Sequence, residues 1–142
     1  MRFTSVGRYP VVCLVSLLML CCGNGDDGEA RLRSVALSFG EAYFNCRYVE
    51  AAEYVDDSSR RWLEYAASNM TQADVDLLRS AGHDAVVEVT EVVGDSAVRL
   101  RVTDFFCKDT IGSVGHYVGE ATFVLSVVGD KVRMAGLPRS ER

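Results

Sequence analysis

The hydrophobic period of this chain changes once, at Gly82, and that change constrains the fold more than any other feature. Before Gly82 the apolar residues recur at three- and four-residue steps, and after it they alternate. Leu32, Val35, Ala36, Phe39, Ala42 and Tyr43 share one helical face. Asn45-Cys46-Arg47 interrupts them, and Tyr48, Ala51, Ala52 and Val55 restart the pattern on a short second helix that stops near Asp56-Asp57. A third segment after Ser58-Ser59 carries Trp62, Tyr65 and Ala66 on its apolar side. Thr71 and Asp74 have capping-box spacing, so a fourth helix is predicted to begin after Thr71, with Met70 stapled against Val75, and with Val75 and Leu78 inward. Gly82, which tolerates the left-handed conformation, closes it.

Beyond Gly82, Val, Thr, Phe and Tyr dominate and four strands are predicted, Asp84–Val93, Ser96–Phe106, His116–Val128 and Lys131–Leu137. Gly94-Asp95 and Gly129-Asp130 supply the hairpin turns, and residues 108–115 form the longer connection. Helices first and an antiparallel sheet afterwards give an α+β fold with helices covering one sheet face.

The N-terminus sets the address. Arg2 and Arg8 precede an uncharged run from Val11 to Cys22, shorter than the roughly 20 apolar residues that cross a membrane. Gly23 to Glu29 has no large apolar side chain to bury and is expected to be a flexible acidic tether spanning residues 22–29, ahead of a single domain over residues 30–142. Leader and cysteine together resemble a bacterial lipoprotein signal over residues 1–21. In that family the cysteine becomes the lipidated first residue, here Cys22, with Cys21 as the alternative. The resemblance implies a protein anchored in the cell envelope through its N-terminal lipid, and the acidic stretch is similar to the signal that directs some lipoproteins to the outer membrane, which leaves a simple spacer as the other reading.

The chain of 142 residues carries 20 acidic against 15 basic side chains, and the leader takes two arginines with it. An acidic surface excludes nucleic acid as a natural partner. Of the 5 cysteines only Cys46 and Cys107 fall within the folded part. In an oxidising compartment they are expected to pair, closing a loop of about 60 residues and adding about 4 kcal/mol in the chain-entropy model. Two separate buried thiols are the alternative. No CxxC or His-Cys spacing supports a metal site, and no cofactor is expected.

The order of elements, the segment LRSVALSFGEAYFNCRYVEAAEY from Leu32 to Tyr54 and the ending TFVLSVVGDKVRMAGLP resemble the nuclear transport factor two-like, or cystatin-like, fold. The resemblance implies a curved four-stranded sheet wrapped around the long helix as a cone with a cavity, and it implies homodimerisation, which no residue here carries. On the third strand Tyr117, Gly119, Ala121, Phe123, Leu125 and Val127 share the core phase, opposite His116, Glu120, Thr122 and Ser126. The small Gly119 and Ala121 leave room for a hollow, with close helix packing as the alternative. Tyr43, Trp62, Tyr117, Gly119, Ala121 and Phe123 are therefore the candidate ligand-binding residues. Asp104 continues the apolar phase of Val98, Leu100 and Val102, so it is the candidate general base, with Tyr117 to orient a substrate. His83 and His116 belong to no triad spacing and read as solvent-facing or capping. Arg99 and Arg101, extended by Arg133 or Lys108, form a basic stripe that either holds an anion or balances Glu88 and Glu120.

Two functions follow as expectations. The first is a non-enzymatic envelope domain that binds a small apolar ligand or a partner protein. The second is a small isomerase or dehydratase using Asp104.

Overall fold

The computed structural model describes residues 26–108 and 113–141. The leader, Cys21 and Cys22 lie outside the described residues. The chain divides into two units, residues 1–30 and 31–142, and of the first only its helical end is described.

Helix α1 runs Asp26–Tyr43. It starts inside the stretch expected to be a tether, because Asp27 and Glu29 place carboxylates in a first turn, where the positive end of the helix favours them. Leu32, Ala36, Phe39, Ala42 and Tyr43 are buried, as their spacing predicts. The helix approaches the sheet closely at Gly40, where an added Cβ would lie 3.0 Å from both Leu100 Cδ1 and Val87 Cγ1. It ends in a Schellman-type turn: the Arg47 N–H donates to Ala42 O at 2.9 Å and the Cys46 N–H to Tyr43 O at 3.1 Å. Asn45 ties this turn to the sheet, its Oδ1 accepting from the Ala85 N–H at 2.8 Å.

Helix α2 (Tyr48–Ala51) continues into a 3-10 turn, Ala52–Tyr54. Val55 then forms a parallel bridge with Val132. Helix α3 is Arg60–Ser68, and its buried residues are Leu63 and Ala66, with Tyr65 49% exposed. Ala66 and the half-buried Trp62 lie inward as their spacing predicts, Tyr65 does not, and Leu63 joins them because of Ser59. Its buried hydroxyl donates to Asp56 Oδ1 and accepts from the Met134 N–H at 2.7 Å, so the residue one turn on, Leu63, follows it inward.

Helix α4 (Gln72–Ala81) has the capping box: the Asp74 N–H donates to Thr71 Oγ1 at 3.2 Å and the Thr71 N–H to Asp74 Oδ2 at 3.0 Å. Gly82 closes it with φ +71. Asp74, 2% exposed, and the half-buried Leu78 face inward, so the expectation holds for Leu78 and is corrected for Val75, which is 37% exposed. The cause is Asp74, which accepts from Lys108 Nζ at 2.6 Å and from the Val114 N–H at 2.9 Å.

Strands β1 (Val86–Val93), β2 (Ala97–Lys108), β3 (Val114–Val128) and β4 (Lys131–Arg133) form one antiparallel sheet in the order β1-β2-β3-β4. Fold class is thus α+β, helices followed by an open four-stranded sheet. Gly94 and Gly129, both at φ +65, make the hairpin turns. Strand β4 is shorter than expected, and Ser140 bridges Phe123 along the same edge of β3. Val98, Leu100 and Val102 pair with Leu125, Phe123 and Ala121, and all but the half-buried Ala121 lie in the core with the α1 face.

Candidate functional site

The alternation that placed Asp104 in the core stops at Thr103. The register slips between Thr103 and Phe105, and Asp104 takes φ +50 in the resulting bulge. Phe105 and Phe106 are both buried as a result, while Asp104 is half-buried and its Oδ1 accepts from the Gly119 N–H at 2.9 Å. Opposite the bulge Gly119 has φ +103, and the β3 stretch 116–120 is exposed. Tyr117 lies outside the core, 46% exposed, stacked on Phe105 with ring centroids 5.2 Å apart. Asp104 therefore acts in this structure as an acceptor for the backbone of the neighbouring strand β3.

The candidate ligand-binding residues do not converge either. Tyr43 and Phe123 belong to the core, where Phe39 stacks on Tyr43 at 5.4 Å and Phe44 meets Phe123 at 4.5 Å and Phe105 at 5.5 Å. These rings occupy the space beneath α1 that the sequence left open for a hollow. Ala121 is half-buried, Gly119 and Tyr117 are exposed, and Trp62 sits apart on α3 under Arg61, whose guanidinium carbon is 5.1 Å from the indole.

The basic stripe is neutralised across the sheet. Arg101 pairs with Glu88, and Arg99 with Glu91 and, at 3.3 Å, with Glu141. Hydrogen bonding to Glu88 raises the Arg101 pKa further, so its charge is permanent. Arg133 pairs with Asp56 at 2.9 Å and Lys108 with Asp74.

A concavity lies elsewhere. An open groove of about 320 Å³ forms where the turn after α1, helix α4, the loop following Gly82 and β2 meet. Its floor is Cys46 and Phe106, its apolar wall is Met70, Val75 and Leu78, and its rim is Arg47, Arg79, His83 and Asp84. Asp84 holds Arg47 through both carboxylate oxygens, at 3.0 and 2.9 Å. His83 is exposed, as expected, and lies 5.6 Å from the Phe106 ring and 5.2 Å from His116, which itself stacks on Phe106 at 4.7 Å. Nothing in the sequence pattern points to Arg79, Met70 and Phe106, because the groove joins residues from four separate segments.

Behind the floor is a polar cluster within the core. Tyr48 Oη donates to Cys46 Sγ at 3.4 Å, and Cys107 acts electrostatically on both the Tyr43 phenol and the Cys46 thiol. Both cysteines are thiols in the structure, so the expected bridge is not formed there. Burial pushes the Cys46 thiol up to about 11 and raises both phenols well above the usual tyrosine range. At neutral pH these groups are protonated. Asp74 stays ionised beside them, held well below the usual carboxylate range by Lys108 and by the Val114 N–H.

In the comparisons with known proteins, no family model, no curated protein and no solved structure matches the chain. The site itself must carry the functional argument.

Proposed function

We propose that the chain is a lipid-anchored domain of the bacterial cell envelope that works by binding a small molecule. The finer fold belongs to the same reading, a lipoprotein with a nuclear transport factor two-like cone. Helices before an antiparallel sheet, and Val55 laid parallel to Val132, support it. The observation that carries the binding reading is the position of open space. The core under α1 is packed with aromatic rings, whereas the groove between α4 and Phe106 is open and of a size that takes a small ligand. This moves the expected ligand site from the cone to the groove.

The groove chemistry narrows the ligand. Met70, Leu78 and Phe106 suit an apolar body. At the rim Arg47 is already paired with Asp84, and Arg79 brings a second guanidinium. A small carboxylate with an apolar tail satisfies both halves. The catalytic reading draws less support, since Tyr117 is 46% exposed outside the core and the half-buried Asp104 carboxylate already accepts a backbone N–H. A partner protein is the second reading, favoured by Val118, 82% exposed beside Tyr117.

The test is a titration of the full chain with octanoate, followed by backbone amide shifts, with octanol as the uncharged control. Shifts confined to Arg79, His83 and Phe106 that octanol fails to match, and that Arg79→Glu abolishes, are the expected result. Equal shifts with both probes, or none at the groove, would sink the ligand reading and turn the search to partners of the Val118 ledge.

A further inference from the structure

The thiol of Cys46 in the groove floor and that of Cys107 are not used by the binding chemistry, yet Cys46 occupies a sterically costly position. It occupies the left-handed place of the turn after α1, with φ +57, where glycine avoids the clash of a Cβ. A strained residue of this kind is a reason to ask what its side chain does.

That side chain lies in one cluster with Cys107. Tyr48 Oη reaches Cys46 Sγ, the Tyr43 and Tyr48 rings are in edge contact with centroids 5.7 Å apart, and Cys107 acts electrostatically on both Cys46 and Tyr43. The backbone pins the same neighbourhood. The Phe106 N–H donates to Phe44 O at 2.9 Å, which fixes the residue before Cys107 against the turn that carries Cys46.

We infer that Cys46 and Cys107 are a reversible dithiol–disulfide pair that closes by exchange with an external disulfide, such as oxidised glutathione or the active disulfide of an oxidoreductase. Cys107, the more exposed of the two, loses its proton and attacks the external disulfide, forming a mixed disulfide and releasing one external thiol. Cys46 then loses its proton and displaces the second external sulfur. One S–S bond forms in the chain and one breaks in the oxidant, which leaves with two electrons and two protons as two thiols. Because Cys46 and Phe106 both floor the groove, closure fixes the turn after α1 to β2 directly under the ligand site.

The pair rests on the envelope reading only for its oxidising surroundings, and two arms separate the two. In the first, the folded full chain is equilibrated with oxidised glutathione, quenched with acid, alkylated and digested with trypsin. The expected product is Ser34–Arg47 joined to Val102–Lys108, lost on reduction. Recovery of both peptides alkylated, or joined to glutathione or to the N-terminal cysteines, overturns the pair. In the second arm the chain is quenched directly from the envelope of the cells that make it. The joined peptide there supports both readings, whereas joining in the first arm alone keeps the pair and overturns the oxidising address.

Discussion

Asp74 joins three elements through one carboxylate. It caps α4, pairs with Lys108 at the end of β2 and accepts from the Val114 N–H at the start of β3. Both side chains of the ion pair are nearly closed off from water, at 2% and 6% exposure. Replacing such a pair wholesale is often neutral, but removing one partner strands a buried charge at about 3–5 kcal/mol. Lys108→Met is therefore expected to lower stability by about that amount, read as a shift of the urea midpoint at unchanged slope. Asp74 and Asp56 also set an acid limit. The Lys108 ammonium holds Asp74 below its ordinary value, and the Ser59 hydroxyl, then Arg133, hold Asp56 down to about 2. The unfolded chain thus takes up these protons first, so their stabilisation is complete above the ordinary carboxylate range and is lost as pH falls through it. Thermal midpoints are expected to drop between about pH 4 and pH 2, less steeply in Asp56→Asn. Parallel slopes for the two proteins would remove Asp56 from the account.

Helices and turns show which parts of the fold are decided locally. Gly82 closes α4 at φ +71 with open space where a Cβ would go, so the cost of Gly82→Ala is conformational alone, about 1 kcal/mol. At Gly40 the obstacle is packing. A valine there meets Leu100 and Val87 at once, and Gly40→Val is expected to cost about 1–3 kcal/mol in the same urea assay. If Gly82→Ala proves the more damaging, the close approach of α1 to the sheet is not what holds them together. The α1 face, the capping box at Thr71 and the hairpin glycines were all legible in the sequence because each depends on residues a few positions apart. The faces of α3 and α4 were legible only in part. Ala66 and Leu78 turn inward as expected, but Tyr65 and Val75 give way to Leu63 and Asp74, which follow bonds to distant residues, Ser59 to Met134 and Asp74 to Lys108. The candidate base failed for a related reason. Strict alternation carried Asp104 inward, but the slip opposite Gly119 puts one residue into a bulge and turns the carboxylate to the β3 backbone. The groove was illegible for a third reason, since residues 45–47, 70–79, 83–84 and 106 become neighbours only after the sheet has paired.

At the scale of the molecule the proposed anchor and the proposed site are separable. Among the described residues no helix is long and apolar enough to cross a membrane, and the chain carries a formal charge of −5. A net acidic chain gains little from anionic headgroups, which favours hydrocarbon over charge as the source of the proposed attachment. In the proposed reading, membrane attachment comes from acyl chains on the N-terminal cysteine, each buried methylene adding about 0.8 kcal/mol. Cys22→Ser is accordingly expected to move the protein from the detergent phase to the aqueous phase in a cloud-point partition. If Cys22→Ser stays with the detergent and Cys21→Ser leaves it, the lipid is on Cys21. If neither leaves, the anchor is not a lipidated cysteine. The octanoate shifts at Arg79 and Phe106 should be the same in Cys22→Ser as in the parent chain, because every groove residue lies in the unit of residues 31–142. A change in both readouts would mean that the N-terminus helps to build the site.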